Sequence, residues 1–297
     1  MYMILETIFM KNNEGNDYKM KILVTGANGY LGSGIVEKLL NDGMEVIATD
    51  YSDNNIDNRA KKYVIDLFSV SNPFQYFEQP DCVLHLAWRD GFKHDSLAHL
   101  EDLNKHYLFI KKMIESGIRK VAVMGSMHEV GFYEGCINEE ASCKPLSLYG
   151  ISKNALREAV MLEAKKANIL FQWLRGFYIV GNTDLGCSVF SKMVQASKHG
   201  DRTFPFTTGM NQYDFIDYNQ FCTQVAKAVE QDEVLGVINC CSGFPMKLGE
   251  RAEQFIADNN LEISLEYGKF PDRIYDSKAI WGDNTKINLI LSKCANQ

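Results

Sequence analysis

At 297 residues, with 46% hydrophobic and 23% charged residues, the chain has the composition of an ordinary globular protein, enough for one large domain with a smaller second lobe. A formal net charge of −7 without a dense Lys/Arg block makes the chain a poor nucleic-acid binder, and no nucleic-acid partner is expected. No apolar run reaches the roughly 18 residues that a membrane-crossing helix needs, so no membrane partner is expected.

Residues 1–19 lack the basic start, apolar centre and small-residue cleavage site of a secretory signal. They read as a disordered extension ahead of Met20, and the protein as cytoplasmic. Residues 21–25 are a short β-branched run. Residues 34–41 place Ile35, Val36, Leu39 and Leu40 at helical spacing and stop at Asn41-Asp42-Gly43. Strands follow at 45–49, 63–66 and 82–87, then a helix at 100–115, a strand at 120–124, a long helix at 148–167 and a strand at 169–174. This alternation predicts an α/β fold, a Rossmann-type doubly wound parallel sheet buried on both faces. After about residue 180 the pattern loosens into turns and short strands at 203–217, helices at 190–197, 221–229 and 251–258, and a strand at 235–241. We expect an NAD-binding Rossmann domain over 20–180 and a mainly substrate-binding lobe over 181–297, with some segments returning to the sheet. The eight cysteines include no CxxC pair. Cys240 and Cys241 are adjacent in a predicted strand and point to opposite faces, so the cysteines read as reduced core residues, with a zinc or redox site as the alternative.

Thr25-Gly26-Ala27-Asn28-Gly29-Tyr30-Leu31-Gly32 joins the first strand to the first helix. Gly26 permits the tight turn, Gly29 lets backbone approach a pyrophosphate, and Gly32 lets helix pack on strand. Asp50 ends the next strand, where a carboxylate accepts hydrogen bonds from ribose hydroxyls and repels a 2′-phosphate. Tyr51-Ser52-Asp53 offers no cation for such a phosphate, so NAD is favoured over NADP.

Tyr149 and Lys153 open the long helix at i, i+4 spacing. An ammonium there is expected to lower the Tyr149 pKa toward neutrality, so that Tyr149 exchanges a proton with a sugar or alcohol oxygen while hydride moves at a nicotinamide. Tyr107 and Lys111 share this spacing but lie inside a helix and read as a solvated face. Ser126 directly follows the fifth strand, at the carboxyl edge where such sheets bind ligands.

The glycine turn, Asp50, the Ser126 loop and Tyr149-Gly150-Ile151-Ser152-Lys153 together resemble the extended short-chain dehydrogenases/reductases. Within them the chain is similar to the NAD-dependent nucleotide-sugar epimerase, dehydratase and reductase group. The resemblance runs from Lys21 to about Leu291 and includes His85-Leu86-Ala87, Leu174-Arg175-Gly176-Phe177-Tyr178 and Tyr213-Asp214-Phe215-Ile216-Asp217. It implies a Ser126–Tyr149–Lys153 triad. It implies a cofactor site formed by Gly26, Gly29, Tyr30, Leu31, Gly32, Asp50, Asp66, Leu67, Leu86, Ala87, Trp88, Tyr149, Lys153 and Phe177. Its nucleotide-sugar partner would meet His94, Arg175, Tyr178 and Asn182, no metal is required, and a homodimer would pack through helices 100–115 and 148–167.

The dehydratases of this group carry Asp and Glu after the triad Ser or Thr. Here Met127 and His128 stand there, which disfavours dehydration unless a shifted register brings in Glu129. In epimerase-reductases similar to GDP-fucose synthase the His128 position holds a Cys acid/base; His128 either does such work or only hydrogen-bonds. His94 is expected on the sugar, His99 as a helix cap. Tyr213 replaces an Arg that often contacts the diphosphate, leaving Arg175, Lys192, Arg202 and Arg273 as candidates. The resemblance implies an NAD-dependent oxidoreductase interconverting 4-keto and 4-hydroxy groups on a nucleotide-linked 6-deoxy sugar for surface polysaccharide precursors. The alternative is a C4 or C3/C5 epimerase with bound NAD.

Overall fold

Ile22 and Val24 enter one apolar cluster and Leu23 another, so the first strand is buried on both of its faces. A computed structural model describes residues 19–181, 183, 188–271 and 277–294. The expectations for residues 1–18, Asn182 and Arg273 fall outside the described residues.

The first half runs β1 (Lys21–Thr25), α1 (Tyr30–Asn41), β2 (Glu45–Asp50), β3 (Lys61–Val64), α2 (Pro73–Tyr76), β4 (Cys82–His85), α3 (Ala98–Glu115) and β5 (Lys120–Ser126). Then come β6 (Gly135–Ile137), α4 (Leu148–Ala167), β7 (Leu170–Gly176) and β8 (Tyr178–Val180). The remainder is α5 (Val189–His199), β9 (Thr203–Pro205), β10 (Gln212–Asp217), α6 (Tyr218–Glu230), β11 (Gly236–Cys240), β12 (Pro245–Lys247), α7 (Leu248–Asp258), β13 (Ser264–Glu266), β14 (Ala279–Gly282) and α8 (Thr285–Cys294).

Seven strands form one parallel sheet in the order β11-β7-β5-β4-β1-β2-β3, a Rossmann-type doubly wound arrangement. Ile35, Val36 and Leu39 of α1, Phe221, Val225 and Val229 of α6, and Ile287 and Ile290 of α8 cover one face. Ile110 and Met113 of α3 with Leu156 and Val160 of α4 cover the other. A second, mixed sheet joins β12, β10, β14 and β6, with β8 added to β10. Thus β6 leaves the first half for the small sheet, and β11 returns from the second half to the large one. Asp214 in β10 is fully buried and ties these pieces together, accepting bonds from the Ser242, Gly243 and Gly282 backbone N–H groups at 2.8–3.0 Å.

The third strand ends at Val64 rather than Asp66. The Asp66 carboxylate instead accepts from the Phe68 N–H and caps a 3₁₀ turn, which stops the strand. Helix α2 lies in a stretch where none is expected, with the Asn72 side chain capping it at the Gln75 N–H. The seven described cysteines are unbridged, and Cys240 and Cys241 enter different apolar clusters. Among the described residues no helix is long and apolar enough to cross a membrane.

Candidate active site

The turn after β1 is shaped by what its glycines lack. Gly26 has φ of +70°, and a Cβ there would lie 2.7 Å from the Ala87 nitrogen; one on Gly32 would lie 2.1 Å from the Gly26 oxygen. Backbone therefore packs on backbone between the β1 and β4 exits. Gly29 is the N-cap of α1 and no side chain caps that helix, so its first N–H groups suit an anion. Asp50 accepts from the backbone N–H of Asn28 at 3.0 Å and of Tyr51 at 2.7 Å, which fixes its carboxylate at the rim. The Tyr51 hydroxyl donates to Asp66 at 3.2 Å, and Leu67 is buried behind it. Leu86 and Ala87 leave β4 bonded to Thr25, through its carbonyl and its hydroxyl respectively. A bare helix start, a cradle any Cβ would fill and an acceptor at the second strand end fit a dinucleotide. Tyr30 turns its ring away from the helix axis onto Tyr218, with centroids 4.6 Å apart, and Leu31 packs on the sheet core. Of these two, backbone is what faces the turn.

The candidate triad assembles at the carboxyl ends of β5 and α4's first turn. Ser147 caps α4 at the Gly150 N–H, and the Tyr149 N–H donates to the His94 carbonyl at 2.8 Å. Ser126 hydrogen-bonds the Tyr149 side chain, and Lys153 donates to the Met124 carbonyl at 2.8 Å. Burial pushes the Tyr149 phenol up to about 12, against the Ser126 hydrogen bond, and pulls Lys153 down to about 7. The expected drop of Tyr149 toward neutrality is thus absent from the protein alone. A buried lysine that is half neutral near pH 7, 5.8 Å from the Tyr149 ring centroid, does not outweigh desolvation of a phenolate.

Aromatic rings surround Tyr149. His94 stacks on it at 5.1 Å and 10°, and His128 meets His94 edge-on at 4.4 Å. Tyr178 is 6.3 Å from His128. Burial and the His94 ring lower His128 to about 4, so it is a neutral imidazole at physiological pH. Trp88 also meets Tyr149 edge-on, its ring 6.1 Å away. His99 is buried rather than a helix cap: its Nε2 lies 2.9 Å from the Lys93 carbonyl and must carry the hydrogen, so its Nδ1 accepts from the Trp88 indole at 3.0 Å.

Other expectations need correction. Arg175 is fully buried and cannot meet a substrate: its Nε donates to Glu129 at 2.7 Å and its Nη1 to the Asn138 carbonyl at 3.1 Å. Glu129 is equally buried, held also by the Trp173 indole at 2.8 Å, so no shifted register delivers it to the site. The Phe177 side chain packs with Met127, Val130 and Ile280 between the lobes, leaving only backbone there to face a cofactor. Lys192 is exposed, and Arg202 pairs with Glu262 at the surface. Tyr107 donates to Glu163, and Lys111 pairs with Glu115 on the helix surface. Sequence reasoning missed Arg251, which bonds Asp217 at 2.6 Å and lines a groove of about 900 Å³ with Gly29, Tyr30, Gly181 and Tyr218. Its signal was the basic residue inside an amphipathic helix.

Gly150 lets α4 touch the turn that carries His128, because a Cβ there would lie 2.4 Å from the His128 carbonyl oxygen. Gly150→Ala should displace Tyr149 from Ser126 and lower kcat by about 10²-fold with NADH affinity unchanged, a loss typical of an ångström-scale misplacement. Steady-state kinetics and cofactor titration on the same preparation check it.

The fold and this site define an extended short-chain dehydrogenase/reductase. Residues 22–241 match the NAD dependent epimerase/dehydratase family, and the chain belongs to it. It is 39% identical over 269 residues to the dTDP-6-deoxy-L-talose 4-dehydrogenase (NAD(+)) of Aggregatibacter actinomycetemcomitans, covering 89% of this chain and 99% of that protein. The UDP-glucose 4-epimerase of Lactobacillus helveticus is 27% identical over 56% of this chain and 54% of its own. Among solved structures, a UDP-N-acetylglucosamine 4-epimerase from Methanobrevibacter ruminantium superposes with a TM-score of 0.80 at 21% identity, covering 92% of each chain. The Thermus thermophilus UDP-glucose 4-epimerase complex with NAD gives 0.77 at 19% identity, over 91% of this chain and 92% of that one. These two share the fold.

Proposed function

We propose that this chain is an NAD-dependent 4-dehydrogenase that interconverts 4-keto and 4-hydroxy groups on a dTDP-linked 6-deoxy sugar, in the making of surface polysaccharide precursors. The observation that carries the reading is the pairing of an assembled Ser126–Tyr149–Lys153 group with the loss of an eliminating acid. Met127 is buried between the lobes, and Glu129 is neutralised by Arg175. The similarity to the talose 4-dehydrogenase supplies the substrate class.

When bound, NAD supplies hydride exchange at the sugar C4. Tyr149, a neutral phenol at pH 7, donates its proton to the C4 oxygen during reduction and is left as phenolate; in oxidation the phenolate takes the C4 hydroxyl proton back. The Ser126 hydroxyl bonds the same oxygen and the phenol, and the Lys153 ammonium steadies the charge left on Tyr149. Asp50 selects a ribose with a free 2′-hydroxyl, favouring NAD over NADP. His94, His128 and Tyr178 form a chain of rings that starts at Tyr149, which makes them the candidates to meet the sugar.

Mixing the protein with a dTDP-4-keto-6-deoxyhexose and NADH should consume NADH stoichiometrically with 4-keto sugar, read by the loss of nicotinamide absorbance. Sugar conversion with constant NADH would instead identify a C4 or C3/C5 epimerase. That second reading, in its C3/C5 form, would call on His128, whose ring lies 6.3 Å from that of Tyr149, as proton acceptor at the sugar carbon, a role its lowered basicity disfavours. We also place the protein in the cytoplasm, on the unbridged state of its described cysteines, as a homodimer through the adjoining α3 and α4. Leu100 and Leu108 of α3 and Met161 and Leu162 of α4 are exposed on these helices.

A further inference from the structure

We propose that Trp88 is a positioning residue for Lys153, its indole face being the floor on which the ammonium is held beside Tyr149. This rests on the reading above, in which Lys153 serves the reaction. The Lys153 Nζ lies 3.8 Å from the Trp88 ring centroid, inside the range in which an indole quadrupole attracts a cation. The Met124 carbonyl takes one of the three ammonium donors. Lys153 is otherwise enclosed, and a buried ammonium is favoured only by what faces it.

The surroundings leave that role to the indole. Tyr149 on the same helix is a neutral phenol. Among the described residues, Glu129 on the turn after β5 is the carboxylate whose field raises Lys153, and Arg175 already pairs with it. From β4 and α3 come His85 and His106, both held neutral by burial, so neither adds a competing positive charge.

The indole is itself fixed on two sides. His106 stacks on it at 4.5 Å and 15°, and His106 is bonded through His85 to the Thr25 hydroxyl at the start of the glycine turn. The indole N–H is bonded to His99, which grips the Lys93 carbonyl one residue before the carbonyl that receives the Tyr149 N–H. Trp88 is therefore braced between the dinucleotide turn and the loop that sets Tyr149. A leucine would remove the π face and leave part of the indole's volume empty. A phenylalanine would keep a weaker face and lose the bond to His99.

The test is the pH dependence of kcat for 4-keto sugar reduction in the wild type, Trp88→Phe and Trp88→Leu. A cation–π contact stabilises the protonated lysine, so removing it lowers the Lys153 pKa. Activity that needs the ammonium then fails at a lower pH. The alkaline limb should move down by about half a pH unit to one and a half in Trp88→Leu, and less in Trp88→Phe. A packing defect alone would scale kcat by one factor at every pH, and limbs coincident with the wild type overturn the proposal. Should Trp88→Leu fail to fold, Trp88→Phe decides on the same criterion. Lys153→Met separates the two layers. If it is inactive while the Trp88 limbs stay put, only the proposal falls; if it keeps wild-type kcat, the triad reading falls and the proposal with it.

Discussion

Tyr149→Phe should lower kcat for 4-keto sugar reduction by about 10²–10⁴-fold, the usual worth of a positioned proton donor. The substitution removes one oxygen and little else. The phenyl ring keeps its stack on His94 at 5.1 Å and its edge contact with His99 at 5.3 Å. The helix start stays capped by Ser147 and bonded to His94 through backbone. The melting temperature should therefore hold, and NADH affinity should fall at most slightly, since Tyr149 loses one hydroxyl while the glycine turn and Asp50 lie on other elements. Burial keeps the phenol protonated to about pH 12, so it is a competent donor throughout the range in which reduction is measured. The loss should then be uniform below the alkaline limb that Lys153 sets near 7. A variant retaining kcat within about tenfold of wild type, below the range for general-acid catalysis, would remove Tyr149 from the chemistry.

The parts of this site that sequence made legible are those coded locally. The Gly26–Gly32 turn follows a β-branched strand and opens a helix, so position along the chain says which backbone must approach a phosphate. The Tyr149–Lys153 spacing is a property of one helix. What stayed hidden depends on strands meeting across the sheet. Glu129 and Arg175 are 46 residues apart and meet only because β5 pairs with β7. A signal existed in the period of two: Phe171, Trp173 and Arg175 share a face of β7, and the first two belong to the core. The strand is buried on both faces, so an arginine on that side required a buried partner. The Trp88 contact with Lys153 and the His99 bond likewise join β4's exit, α3 and α4, which no single segment reports. The crossing of β6 into the small sheet was invisible because its three residues, Gly135 to Ile137, are too few to show a pattern.

Arg175→Met is expected to destabilise the protein by about 3–5 kcal/mol, the cost of stranding a buried charge. Both partners of the ion pair have no solvent exposure, so water cannot replace the guanidinium around Glu129. The carboxylate would keep the Trp173 indole alone, and the carbonyl of Asn138 would lose its donor. At roughly 2–4 °C per kcal/mol for a chain of this class, the melting temperature should fall by about 10 °C. The turn from Met127 to Glu129 also carries His128, so kcat should fall with stability. Replacing both partners, Glu129→Leu with Arg175→Met, should recover part of the loss, because an apolar pair leaves no unpaired charge in the core. Thermal melts and a double-mutant cycle measure this directly. Had Arg175 held a substrate diphosphate, the single variant would instead raise KM and leave the melting temperature in place; that outcome would return Arg175 to the binding site and require another partner for Glu129.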